Sequence, residues 1–140
     1  GSSATITGVR VLPVLPGIFE FDLGGGRWAA ALHADYSVVT PQNPARPGEV
    51  ILLFLTGLGA TTPPFATNVA GTVPAATTVR QPVVGLNGEG MEVLGSFYAP
   101  GLYTAYQINF VVGRNVRSGV ASLSVVVDGI ASQDSRLPVQ

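Results

Sequence analysis

Along most of this chain apolar and polar residues alternate with a period of two, which excludes a helical fold. Residues 102–112 show it best. Leu102, Thr104, Tyr106, Ile108, Phe110 and Val112 fall on one face, and Tyr103, Ala105, Gln107, Asn109 and Val111 on the other. That is a strand with one buried side. The next follows the same rule, with Ala121, Leu123, Val125 and Val127 inward and Ser122 and Ser124 outward. Asp128-Gly129 then carries the two-residue signal of a type I′ hairpin, leading into a strand from Ile130. Asn87-Gly88-Glu89-Gly90 writes a second hairpin between strands at 82–86 and 91–97. Residues 50–55, apolar on both faces, read as a central strand buried on both sides. Further strands are expected at 5–12, 17–22, 28–34 and 36–40.

Between these stretches lie Pro/Gly clusters at 13–17, 24–26, 41–48, 61–64 and 100–101, each of which fixes a turn or denies a helix. About eight to ten short strands with turn signals every 8–12 residues predict an all-β fold, an Ig-like antiparallel β-sandwich, ahead of a closed barrel. With 140 residues and no composition break, 1–140 reads as a single domain. Residues 1–12 are expected as an N-terminal edge strand or a strand donated to a neighbour.

Composition narrows the function classes. The chain has no Cys, one His and no Lys, so all seven cations are Arg. Disulfide scaffolds, Cys-based zinc sites, thiol nucleophiles and Lys Schiff bases are thereby excluded. Net charge of −1 argues against nucleic acid or an anionic membrane as partner. Mean hydropathy of +0.42 raises the question of a membrane span. The charge-free windows at 50–79 and 93–113 are both cut by Gly and Pro, however, so neither supplies the about 20 consecutive apolar residues of a spanning helix. No membrane insertion is expected. The opening Gly1-Ser2-Ser3 reads as a processed end without a signal peptide.

Several phrases carry a more specific message. They are Pro16-Gly17-Ile18-Phe19, Ala29-Ala30-Ala31-Leu32-His33-Ala34-Asp35, Asn43-Pro44-Ala45-Arg46-Pro47-Gly48-Glu49-Val50 and Thr56-Gly57-Leu58-Gly59. Ala99-Pro100-Gly101-Leu102-Tyr103, Tyr106-Gln107-Ile108-Asn109 and Asp128-Gly129-Ile130-Ala131-Ser132 follow. In this order and spacing they resemble the Solibacter-type C-terminal domain, repeated in many large secreted proteins of Acidobacteria. The resemblance runs from about Pro16 to the end. It implies an extracellular or cell-surface Ig-like module, with no catalytic residues assigned to the family. The chain departs from the family pattern at Tyr36, where Gly is usual, at Ala60, where Pro is usual, and at Gln133, where Asn is usual.

Individual residues favour structural roles over chemistry. His33 and Asp35 share a strand face and are the one pairing that suggests catalysis. No G-x-S-x-G elbow accompanies them, so a strand-end His bonded to a turn Asp is the better account. Eight carboxylates without paired or D-x-D-x-D spacing read as turn and rim residues, with no metal and no cofactor. The glycines at 24–26 and in 56–60 lack a phosphate-loop pattern and read as turn glycines. Arg46 and Glu49 read as the lock of a rigid Pro-rich loop.

Trp28, Tyr103, Gln107 and Asn109 are the candidates for a ligand or interface. The expected function is a non-catalytic structural or adhesive module that acts through protein contacts with other copies or neighbouring domains, in a filament or stack. The alternative is a carbohydrate-binding module, with polysaccharide as partner and exposed aromatics as its platform.

Overall fold

The computed structural model describes residues 14–23, 26–59, 61–62, 77–78, 80–99 and 105–140. Within them the fold is all-β, antiparallel and sandwich-like, as the alternation requires. The strands of the first part are β1 (Val14–Ile18), β2 (Glu20–Asp22), β3 (Arg27–Ala29), β4 (Ala31–His33) and β5 (Val50–Leu58). Next come β6 (Thr61–Thr62), β7 (Thr77–Thr78), β8 (Val83–Leu86) and β9 (Glu89–Tyr98). The last are β10 (Tyr106–Val111), β11 (Gly119–Val127), β12 (Ile130–Ala131) and β13 (Ser135–Val139).

β5 is the central strand of the first half. β10 pairs along one side of it, from Val50↔Val111 to Leu55↔Tyr106. The other side is shared end to end by β1 and β4. β9 flanks β10 and then changes partner. Its residues from Glu92 on pair with β10, whereas Glu89–Met91 pair with β8. β8 in turn pairs with β11, beside which lie β12 and β13. One sheet thus folds around the core instead of two separate sheets facing each other. A bulge helps it bend: Asn109 faces Gly95 but Phe110 faces Val93, leaving Leu94 as the extra residue.

The sheet almost closes on itself. Past β12, the Gln133 side chain reaches Ile18 of β1. The Ile18 N–H donates to Gln133 Oε1 at 3.1 Å, and Gln133 Nε2 donates to the Ile18 carbonyl at 2.7 Å. A carboxamide there takes the place of a neighbouring strand's peptide. Other edges are covered by loops. Val39 N–H donates to Ala31 O along β4, and Ala45 N–H donates to Pro138 O along β13. Covering segments do here what Lys side chains do on many edge strands.

The core joins Ile51, Leu53, Leu55, Ile108 and Phe110 of one half to Val84, Leu86, Leu123, Val125, Val127 and Leu137 of the other. The alternation sets this register: Tyr106, Ile108 and Phe110 are buried while Gln107 and Ser124 point away. The expected I′ turn forms at Asp128 and Gly129 (φ 52° and 77°), and the second hairpin turns on Asn87 and Gly88 alone (54° and 83°), since Glu89 and Gly90 already belong to β9.

Several boundaries differ from the sequence expectation. The 13–17 cluster, read as a turn, instead contributes β1, whose register slips between Val14 and Gly17. An edge strand with a bulge tolerates Pro16 there. The expected strands at 17–22 and 28–34 are each split, because residues 20–29 leave the edge as a hairpin arm, β2–β3. The arm has a tight neck. Ala30 N–H donates to Phe19 O at 2.7 Å, Phe19 N–H donates to Phe54 O, and Phe54 N–H donates to Ala30 O. Residues 36–40 form only isolated bridges at Val38 and Thr40. Tyr36 turns the chain tightly before them, and Pro41 supplies no N–H after them. The strand expected at 5–12 lies outside the described residues.

Candidate functional site

His33, at the end of β4, is buried and satisfied on both ring nitrogens. Nδ1 contacts Glu49, and Nε2 lies 3.0 Å from the Asn43 carbonyl. A carbonyl only accepts, so Nε2 carries its hydrogen. Glu49 also accepts from the Arg46 N–H at 2.9 Å, while Arg46 Nε donates to Gln140 Oε1 at 2.8 Å. The Arg46 lock is therefore made through backbone and Gln140, not through an Arg46–Glu49 ion pair. The partner of His33 is likewise Glu49 and not Asp35. Asp35 is taken by its own turn, where Ser37 N–H and Oγ–H both donate to Oδ1, at 2.9 and 2.6 Å. Those two bonds, the hydroxyl first, hold the Asp35 carboxyl below the usual carboxylate value. The cluster pins the 41–49 loop to β4 and leaves His33 no free nitrogen for proton transfer.

The same turn carries a conformational exception. Tyr36 has φ of 71° and is 74% exposed. It occupies the left-handed position that closes a three-residue hairpin, where Gly is ordinarily found.

The outward face of the first half is the other candidate. Pairing places Gln107 between Phe54 of β5 and Phe97 of β9. Phe19 extends the row, since its N–H bonds Phe54 O at the neck of the arm and its ring is partly exposed. One row thus reads Phe19, Phe54, Gln107, Phe97. The next reads Leu32, Leu52, Asn109, Gly95. Gln107 Nε2 donates to Asn109 Oδ1 at 2.9 Å. That leaves Gln107 Oε1 and the Asn109 amide hydrogens without a partner among the described residues.

Trp28 does not belong to this face. It is buried in the arm with the Arg136 guanidinium 4.1 Å from its ring centre, and so offers no open platform. Tyr103 lies outside the described residues. Of the remaining tyrosines, Tyr98 and Tyr106 meet edge-on in the core, and Tyr106 donates to Gly59 O at 2.6 Å. Burial first, and Tyr98 second, raise the Tyr106 phenol above its usual value. Asp128 pairs with Arg80, and Glu20 accepts from Ser135 Oγ. No group of three or more His, Asp or Glu among the described residues is placed to hold a metal ion. Gly57 and Gly59 adopt positive φ (79° and 89°), but Gly57 does so within β5, opposite the register slip of β1, rather than in a turn.

Sequence reasoning missed Phe19, Phe54 and Phe97 for identifiable reasons. Phe54 sits in a run apolar on both faces, Phe97 follows the Leu94 bulge that shifts the alternation, and Phe19 lies at a neck no local signal marks. Comparison with known proteins finds no matching family model, no matching curated protein and no matching solved structure.

Proposed function

We propose that the chain is a non-catalytic, extracellular structural or adhesive module that works through protein contacts, with a second copy as its partner. One observation carries this reading. Four strands of the wrapped sheet, β5, β8, β10 and β11, contain no charged residue, and the charges of β9, between β10 and β8, are confined to Glu89 and Glu92 in its first half. An isolated domain ordinarily places Lys, Arg, Asp and Glu on the solvent side of such strands, whereas the centres of lasting interfaces are depleted in them. On β8 and β11 the solvent side instead carries Val83, Val126, Gly85, Ser122, Ser124 and Val120. Val83 is 54% and Val120 59% exposed. Small residues between valines make a flat surface for a second copy, and the nearest charge on it, Arg136 opposite Ser122, is already held over Trp28. The resemblance to a domain of secreted proteins supports the extracellular setting.

Light scattering over a wide concentration range tests the proposal. The expected result is a mass that rises with concentration, and falls back to one chain when Val83→Lys and Val120→Lys are combined. A wild-type protein that stays a monomer throughout overturns it.

A further inference from the structure

We propose that the opposite face, around Gln107, binds an uncharged, extended polysaccharide. This goes beyond the contacts between copies and does not depend on them, because the β8–β11 surface lies on the other side of the core. Three of the chain's six phenylalanines, Phe19, Phe54 and Phe97, point outward in one row. The core uses Phe110. Phe19 is 39% exposed and Phe54 and Phe97 are half-buried, so each ring supports the sheet while leaving part of its surface uncovered on this face.

The chemistry of the row decides the occupant. An interface between proteins concentrates apolar side chains at its centre and polar ones at its rim. Here the order is reversed. A carboxamide pair stands at the centre, presenting one acceptor (Gln107 Oε1) and the donors of Asn109, with phenyl rings on both sides. A pyranose has the matching character, with C–H groups on its faces for the rings and hydroxyls at its edges that both donate and accept. Phe54 and Phe97 are two strand spacings apart, about 10 Å, close to the disaccharide repeat of an extended β-linked chain. Phe19 adds a further ring one strand away. The row and its Asn109 neighbour carry no charge, so a uronic-acid or sulfated chain finds no cation there.

The test is a titration of isotope-labelled protein with neutral hexasaccharides (cellohexaose, xylohexaose and mannohexaose), followed by amide NMR. At least one should shift residues 52–56, 95–97 and 107–109 together with the side-chain amides of Gln107 and Asn109. Gln107→Ala should weaken it by about three- to tenfold, the loss of a neutral hydrogen bond, with the remaining spectrum unchanged as proof of folding. Phe97→Ala should weaken it as well. Three outcomes overturn the proposal: no shift with any of the three at millimolar concentration, an unchanged affinity in both variants, or stronger binding of a hexagalacturonate. If the same signals broaden with protein concentration alone, the face is a protein interface, which also overturns it. Val83→Lys with Val120→Lys should leave the titration unaltered, so failure of this inference and failure of self-association are read separately.

Discussion

Replacing Gln133 by Ala tests how much of the stability rests on the near-closure of the sheet. Two hydrogen bonds disappear, Ile18 N–H to Gln133 Oε1 and Gln133 Nε2–H to Ile18 O. Each contributes about 1 kcal/mol net. Ile18 itself is buried, so its peptide groups regain little water once the amide is gone. The expected loss is about 2–3 kcal/mol, since unmade bonds at a buried peptide cost more than the mean. For a chain of this size that is a fall in Tm of about 6–15 °C, measured by circular dichroism. Gln133→Glu sharpens the test. A carboxylate accepts from Ile18 N–H but faces the Ile18 carbonyl without a proton, whereas the protonated acid restores both bonds. The folded state therefore raises the pKa of the introduced group above its unfolded value of about 4.3. That stabilisation is fully present below the unfolded value and is lost as pH rises through the folded one. The deficit relative to wild type should be largest near neutrality and shrink in acid. A Gln133→Ala protein that melts within about 2 °C of wild type would refute the assignment of closure to this side chain.

Three further outcomes are expected. Phe110→Ala empties a fully buried position between β5 and β9 and should cost about 3–5 kcal/mol by urea unfolding, with a loss under about 1 kcal/mol contradicting the register. Tyr36→Gly relieves a left-handed residue and should raise stability by about 1 kcal/mol in the same assay, whereas destabilisation would mean that the ring makes contacts outweighing the strain. Ser37→Ala removes the hydroxyl that does most to hold the Asp35 carboxyl down, so its NMR titration should move up toward the usual carboxylate value. Because a depressed pKa stabilises above the unfolded value and that gain fades as pH falls through the folded one, the variant should also show a smaller loss from this group in acid.

What was legible in the sequence is what neighbouring residues decide. Alternation from 106 to 112 and from 121 to 127 set the inward faces, and Asn87-Gly88 and Asp128-Gly129 set their turns. Where the deciding contact is remote, local pattern was silent or misleading. Asp35 stood beside His33 and looked like its partner, yet Ser37 was nearer in the turn and Glu49, 16 residues from His33, took the ring. Gln133 gave no sign of its tie to Ile18, 115 residues away. The Leu94 bulge inverted the alternation in β9, so Phe97 turned outward unannounced. Trp28 is buried, the commoner fate of a tryptophan in a sandwich, but nothing nearby in the sequence shows that Arg136 lies over it.

The tie between Ile18 and Gln133 also sets an order of events. As a chain grows from its N-terminal end, β1 and β5 emerge long before β10 gives β5 its second neighbour, and longer still before Gln133 arrives for Ile18. β5, the most apolar stretch, must wait with one side unpaired, while the hairpins β8–β9 and β11–β12 close as soon as they are made. Early-made surface is thus held open for late-made residues, a folding sequence with large loop-closure cost and slow rates. The side of β5 that β10 covers therefore stays open until residues 106–111 have been made, and the edge of β1 until residue 133.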